Sequence, residues 1–317
     1  MRYAIRGVGC LVSALSLWVL ARLLHPSALM AALRDAQPLW LIPAVFFLAL
    51  FLVLNAHRWR SLLSPVCHIP SVRLLRWQLI GYLANTVLPL RAGDLCRALL
   101  VAKGSAATAA AGLATIVVEK ICDGATVVGF LVLGILLLDV PPWVDWIARV
   151  SAIVFSGGVI VLLILSSHPP LSGRVAHGPI GRLYALLAPA LAVIPGPRAL
   201  ALVLVRSILM WSASILNTLC ILHAVGIDAS LAGAILINAG LGLATTIPAG
   251  PAAIGSYELA IVALVGVVGV TGAPAQLAAL AMRAAQYAPP ALAGVFALAI
   301  EGTNLRDLRG QMYDDSA

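Results

Sequence analysis

The sequence predicts an all-α integral membrane protein, a polytopic helical bundle of about six full transmembrane helices plus two broken or re-entrant helical hairpins in an inverted repeat. Three observations predict it. Hydrophobic residues make up 62% of the 317 residues, charged residues only 10%, and the mean hydropathy is +1.04, a balance that water-soluble domains do not show. Apolar runs long enough to cross a bilayer recur from one end of the chain to the other, with no polar block able to form a separate soluble domain. Two of those runs, about half the chain apart, are interrupted by proline, glycine and charge.

The elements follow in order. Arg2 and Arg6 precede the apolar stretch 8–20, which is also how a signal peptide begins. Arg22 and His25 follow directly and no small-x-small cleavage site does, so the stretch reads as an uncleaved first helix. Further apolar segments run over 39–55, 74–88, 113–138, 147–165, 199–222, 231–247, 253–270 and 277–300. Positive charge sets the orientation: Arg2 and Arg6, then Arg58, Arg60, Arg73 and Arg76, then Arg174, Arg182 and Arg198, then Arg306 and Arg309 all belong on the cytoplasmic side. The short acidic connections at 139–145 and near Asp228 fit the outer face. The chain between Arg76 and Asp139 must then cross an odd number of times, so its two broken pieces pair, either as a re-entrant hairpin turning near 89–94 or as two full crossings. The same count pairs the pieces within 231–270 about a break at 248–255. The expectation is a single membrane domain over 1–317 with inverted-repeat halves at roughly 39–138 and 199–300, an arrangement that gives transporters two interconvertible openings around one site.

Three constellations carry the candidate site. The first spans 85–97, with Asn85, Pro89, Arg91, Gly93, Asp94 and Arg97. Proline and glycine stop one helix and expose the N–H donors of the next, which with two guanidiniums would suit a phosphate oxygen. The alternative is a loop at the membrane surface in which Asp94 caps a helix and the arginines snorkel. The second is Glu119, Lys120 and Asp123 inside an apolar run. Glu119 and Asp123 share a helix face, and Lys120 reaches Asp123 at i+3, leaving one surplus negative charge. Ionisable groups at that depth are costly, so they face a wet cavity, a partner such as Arg91, or one another in a structural ion network. The third spans 245–258, where Pro248, Gly250, Pro251 and Gly255 enforce an irregular turn and Glu258 lies one turn inside the next helix, as a ligand or proton group or as a cap for the broken backbone. Arg206 and Arg283, with Gln286 and Tyr287, add polar groups within reach of either a site or an interface.

Other classes are disfavoured. Cys10, Cys67, Cys96, Cys122 and Cys220 are odd in number and widely spaced, so they suggest no disulfide framework. The six histidines show no spacing for a metal site, and there is no Walker loop, G-x-S-x-G elbow or H-E-x-x-H. No cofactor is expected. The net charge of +8 is dispersed between apolar segments and forms no basic stripe for nucleic acid; it suits loop orientation and anionic lipid headgroups.

At these motifs the chain resembles the lysylphosphatidylglycerol synthase transmembrane-region family, the flippase domain of aminoacyl-phospholipid synthases and their stand-alone relatives. The resemblance rests on an N-x-x-L-P-x-R-x-G-[DE]-x-x-R pattern from Asn85 to Arg97, on Glu119 and Asp123 flanking Lys120, and on a P-x-G-x-x-x-x-G-x-x-E pattern from Pro248 to Glu258. Ala252 and Ala253 stand where many relatives have glycines. The resemblance implies a multi-pass inner-membrane protein, both termini cytoplasmic, that translocates an anionic or aminoacylated phospholipid or a polyprenyl-linked glycolipid. It further implies that the chain, ending at Ala317 without the aminoacyl-transferase domain of the fused members, is not itself an enzyme. The competing reading is a membrane-embedded enzyme, or an accessory subunit that partners a lipid-modifying enzyme. The abundance of Gly and Ala permits close helix contacts within one chain or between copies in a homo-oligomer.

Overall fold

The computed structural model describes residues 30, 33–88, 92–167, 196–246 and 254–302, with side chains to residue 164 in the 142–167 segment. The described residues form helices and connecting turns, with no strand among them. After two 3₁₀ turns at Leu33–Asp35 and Pro38–Trp40, the helices are α1 Leu41–Leu63, α2 Ser71–Val87, α3 Ala92–Gly104, α4 Ala109–Leu137, α5 Pro142–Ser167, α6 Pro197–Ala224, α7 Leu231–Ala244, α8 Ser256–Val267 and α9 Ala273–Glu301. The expected first helix at 8–20 and the basic groups Arg2, Arg6, Arg174, Arg182, Arg306 and Arg309 lie outside the described residues.

Local chemistry explains the boundaries. Thr108 caps α4 by accepting from Ala111 N at 3.1 Å, and Ser230 caps α7 by accepting from Gly233 N at 3.1 Å. Pro197 sits in the first turn of α6, where its missing N–H costs nothing, and α9 ends at Gly302, whose φ of 60° closes the helix in the left-handed conformation. α9 carries Pro289 and Pro290 in its interior and still continues to Glu301, a tolerance typical of helices inside a membrane.

Four spans are long and apolar enough to cross a bilayer: Pro38–Leu63, Ala109–Leu137, Pro142–Ile164 and Pro197–Ala224. With 29 residues, α9 has the length but carries Gln276, Arg283 and Gln286. By contrast α2, α3, α7 and α8 hold 17, 13, 14 and 12 residues, so at 1.5 Å per residue each reaches only about 18–26 Å of a ~30 Å hydrocarbon core. They are the broken pieces that the interruptions predict. Large apolar side chains line the outside, Ile42 and Phe46 on α1 and Trp146 and Ile153 on α5 among them, as a lipid-facing surface requires. The chain is a multi-pass membrane protein.

Residues 41–137 and 197–301 share one element order: a long helix, two short ones, a long one. Their contacts correspond as well. The leading helices α1 and α6 pack on each other; α2 packs on α9 as α7 does on α4; α2 packs on α3 as α7 does on α8; α3 packs on α4 as α8 does on α9. Each half therefore seats its first short helix against the last long helix of the other half. Among the described α-helices only α5 falls outside the pattern, against α4 and α6.

One charge sits where the sequence reading does not place it. Arg58 belongs there to the cytoplasmic loop group, with the apolar segment ending at Asn55. Instead α1 continues two turns to Leu63, Trp59, Leu62 and Leu63 are buried with it, and Arg58 is 0% exposed. Arg60 keeps the exposed position expected of a loop-side cation.

Candidate functional site: a cavity between the two halves

The hairpin α2–α3 closes through backbone contact. A Cβ at Gly93 would run into the Gly81 carbonyl oxygen and lie 2.6 Å from Asn85 Oδ1, so only glycine lets the two helices meet there. Asn85 Oδ1 accepts from Gly93 N at 2.8 Å and supplies the cap that starts α3. Asn85→Ala is expected to cost about 1 kcal/mol through that lost cap, read as a lower Tm in detergent with the helical circular dichroism unchanged. Starting α3 at this point sends Arg97 across α2 toward α4. Its guanidinium lies over the Trp59 ring at 4.1 Å and donates through Nη1 and Nη2 to Glu119 Oε1 and Oε2 at 3.0 and 2.9 Å.

Glu119 and Asp123 share one face of α4, as their spacing predicts, and Arg58 reaches both. Its Nη1 donates to Asp123 Oδ1 in a close ion pair and to Ser207 Oγ at 2.7 Å, and its Nη2 donates to Asn55 Oδ1 at 3.1 Å and Asp123 Oδ2 at 3.2 Å. Glu119 Oε1 is 3.6 Å from Arg58 Nη2. Trp211 Nε1 donates to Asp123 Oδ1 at 3.0 Å. Lys120 turns away from Asp123 and lies 3.8 Å from Asp94, which is itself 3.6 Å from Arg97. This corrects the expected Lys120–Asp123 pair: Arg58 already occupies Asp123, and the half-exposed lysine stem extends to the carboxylate across the cavity. It also removes the expected surplus negative charge, because Arg58, Arg97 and Lys120 balance Asp94, Glu119 and Asp123. Buried ions persist when they are paired and hydrogen-bonded on this scale.

A second polar cluster lies in the other half. Gly255 takes φ 88°, which favours glycine, and donates its N–H to Glu258 Oε2 at 2.7 Å, so Glu258 closes the broken backbone at the start of α8. Arg283 Nε donates to Glu258 Oε1 at 2.6 Å, with its guanidinium 4.3 Å from the Tyr257 ring centre and 4.7 Å from that of Tyr287. Tyr257 OH donates to Gln286 Oε1 at 2.8 Å, and Gln286 Nε2 donates to Asn217 Oδ1 and Thr218 Oγ1 at 3.2 and 3.3 Å. An arginine held by a glutamate and stacked on aromatic rings thus occurs in both halves.

Between the clusters lies a cavity of about 570 Å³. Asn55, Gln78, Tyr82, Asn85, Asp94, Arg97, Glu119, Lys120 and Asp123 line it from one half. Trp211, Ser214, Asn217, Asn238, Tyr257, Gln286 and Tyr287 line it from the other. Of the residues singled out from sequence, eight therefore meet at one cavity: Asn85, Asp94, Arg97, Glu119, Lys120, Asp123, Gln286 and Tyr287. Gly255, Glu258 and Arg283 stand behind its Tyr257 and Tyr287 wall. Arg206 is not brought in; its Nη1 donates to Ser61 Oγ in a close contact between α6 and α1. Arg91 and Pro248, with Pro89, Gly250 and Pro251, lie outside the described residues.

Sequence reading missed Arg58, Asn55, Gln78, Trp211 and Asn238. A signal existed for the first two: Asn55 and Arg58 are three apart, hence on one helix face, and apolar residues resume after them. Asn238 stands alone inside the apolar run of α7, and a single intramembrane carboxamide in such a run is a polar group that must find partners.

A curated relative, the protein named Glycosyltransferase AglD from Haloferax volcanii, is 26% identical over 293 aligned residues, which cover 80% of this chain and 47% of that protein. The chain spans about half the length of the curated relative it matches. The family profile described as "Lysylphosphatidylglycerol synthase TM region" matches residues 7–294, so the chain belongs to that family.

Proposed function

We propose that the protein moves a lipid headgroup between the leaflets of the membrane through the cavity shared by its two halves. The observation that carries this reading is the cavity itself: about 570 Å³ of space lined by apolar side chains together with a charged and polar cluster, within a bundle whose outer surface is apolar, walled by short helices that reach only part of the way across a bilayer. The reciprocal seating of α2 on α9 and of α7 on α4 supports an inverted repeat, in which rocking one half against the other would expose the same site to opposite sides. The hairpins are then re-entrant, and the lipid is anionic, aminoacylated or polyprenyl-linked. The inner (plasma) membrane with both termini cytoplasmic is the placement that the basic groups favour. In this reading the chain is a carrier and not an enzyme. The name of the Haloferax relative, a glycosyltransferase, favours a second reading, a membrane-embedded enzyme or an accessory subunit acting in lipid or lipid-linked glycan modification.

The test is transbilayer lipid movement in proteoliposomes, followed by dithionite quenching of fluorescent phosphatidylglycerol, lysyl-phosphatidylglycerol and glycolipid analogues. Wild-type protein is expected to accelerate loss of the inner-leaflet signal for at least one lipid. Ser214→Trp, which fills the cavity wall, is expected to lower that rate at least about tenfold, the factor that ~1.4 kcal/mol on a barrier produces. No acceleration for any lipid would overturn the carrier reading and favour the enzyme or accessory-subunit one.

A further inference from the structure

At the cavity the buried side-chain atoms left without a hydrogen-bond partner lie on Gln78, Asn238 and Arg97, while Lys120 and Asp94 keep partly exposed charge there, paired at 3.8 Å. Gln78 is 1% exposed and neither its Oε1 nor its Nε2 has a partner. Asn238 is 4% exposed; its Nδ2 is used by Ser214 and Thr218, while its Oδ1 has no partner. Both residues line the cavity. They are also equivalent in the two halves, each the eighth residue of the first short helix, Gln78 in α2 and Asn238 in α7. Buried polar atoms are nearly always partnered, so two unsatisfied carboxamides at equivalent positions of one cavity point to a ligand. Arg97 Nε, also buried without a partner, adds a donor.

The buried atoms without a partner also bear on the ligand. Two acceptors, Gln78 Oε1 and Asn238 Oδ1, stand with two donors, Gln78 Nε2 and Arg97 Nε. A phosphate only accepts, so it would leave both amide oxygens facing an anion. An ammonium only donates, so it would leave the two N–H groups facing a cation, and the carboxylates at hand are already held by Arg58, Arg97 and Lys120. A hydroxyl both donates and accepts, so a ring bearing several of them offers partners to acceptors and donors alike without changing the charge of the cavity.

We infer that Gln78 and Asn238 form the headgroup-selecting site of the cavity, and that it takes an uncharged polyhydroxyl group, a hexose on a lipid, in preference to a phosphate or an aminoacyl ammonium. This rests on the carrier reading for the route the ligand takes, though not for its binding. The lipid bearing the sugar is either a glycosyl-diacylglycerol or a polyprenyl-phosphate sugar, since both present the same hydroxyls.

The experiment compares four acyl- or prenyl-labelled lipids in the dithionite assay: hexosyl-diacylglycerol, a hexosyl-phosphoryl-polyprenol, phosphatidylglycerol and lysyl-phosphatidylglycerol. It uses the full chain and Gln78→Leu, with retention of each lipid on detergent-purified protein measured in parallel by native mass spectrometry. Hexose-bearing lipids are expected to move fastest and to be retained. Gln78→Leu should lower both readouts about tenfold for those lipids, the worth of roughly one well-placed hydrogen bond, while Tm stays equal or rises because an unsatisfied amide has been replaced by an apolar group of similar volume. Whichever of the two hexose lipids responds identifies the source of the sugar. Faster movement of lysyl-phosphatidylglycerol or phosphatidylglycerol, or a Gln78→Leu protein that handles hexose lipids like wild type, would overturn the inference and leave the carrier reading standing. If no lipid moves, the carrier reading fails and retention decides the inference: hexose-lipid retention weakened by Gln78→Leu supports it, and retention of none overturns it.

Discussion

Glu119→Ala is expected to destabilise the protein by about 3–5 kcal/mol, the cost of leaving buried charge without its partner. Glu119 is 2% exposed and holds Arg97 through two charge-assisted hydrogen bonds, with Arg58 3.6 Å away. Removing it leaves two arginines, 0% and 6% exposed, sharing what Asp123 and Asp94 can offer. The measurement is Tm and monodispersity in detergent. The control is the double variant Arg97→Met with Glu119→Leu, which removes one charge of each sign and keeps an unbranched side chain over Trp59. It should recover most of the loss, because a neutral pair of similar volume carries no desolvation cost. A double variant as unstable as the single one would show that packing around Arg97, and not charge pairing, holds this part of the bundle. The same comparison separates folding from function: a recovered fold with lost lipid movement would place the ion network in the transport step itself.

Gly93→Ala is expected to be nearly as damaging, at about 3 kcal/mol or more, although it adds a single methyl group. The new Cβ would meet the backbone carbonyl of Gly81 and the Asn85 side chain that caps α3. Overpacking against flexible side chains is absorbed by small shifts, whereas backbone against backbone can be relieved only by separating α2 from α3. That separation would also withdraw Arg97 from Glu119. The expected readouts are a large Tm loss and faster proteolysis near residues 88–92. A Gly93→Ala protein with wild-type Tm would mean that the two helices do not meet as closely as the structure has them.

Composition and charge spacing made the bundle legible because both follow from the solvent. A bilayer requires long apolar runs, gathers arginine on one side, and confines proline and glycine at depth to breaks lined by protein. Hence the long helices, the two broken pairs and the boundary of α7 at Leu231 could be read directly. The positions Asn85, Asp94, Arg97, Glu119, Lys120 and Asp123 were legible for the same reason: charge within an apolar run is costly and marks a place that must be wet or paired.

What the sequence could not decide was who pairs with whom. Arg58 reads as a loop cation because the apolar run breaks at Asn55, and only the packing of α1 against α4 and α6 brings it to Asp123 and Ser207. Lys120 could equally reach Asp123 along its own helix, and it is the approach of α3 that supplies Asp94 instead. Gln78 and Asn238 are unremarkable in their helices until the two halves enclose a common cavity and leave their amides unpaired. Sequence by itself therefore determined the solvent, the helices and the depth at which charge is buried, since these depend on short stretches of chain meeting lipid. The tertiary structure decided the partners, the neutrality of the ion network and the chemistry left free in the cavity, because those depend on distances between residues that the chain separates by tens to more than a hundred positions.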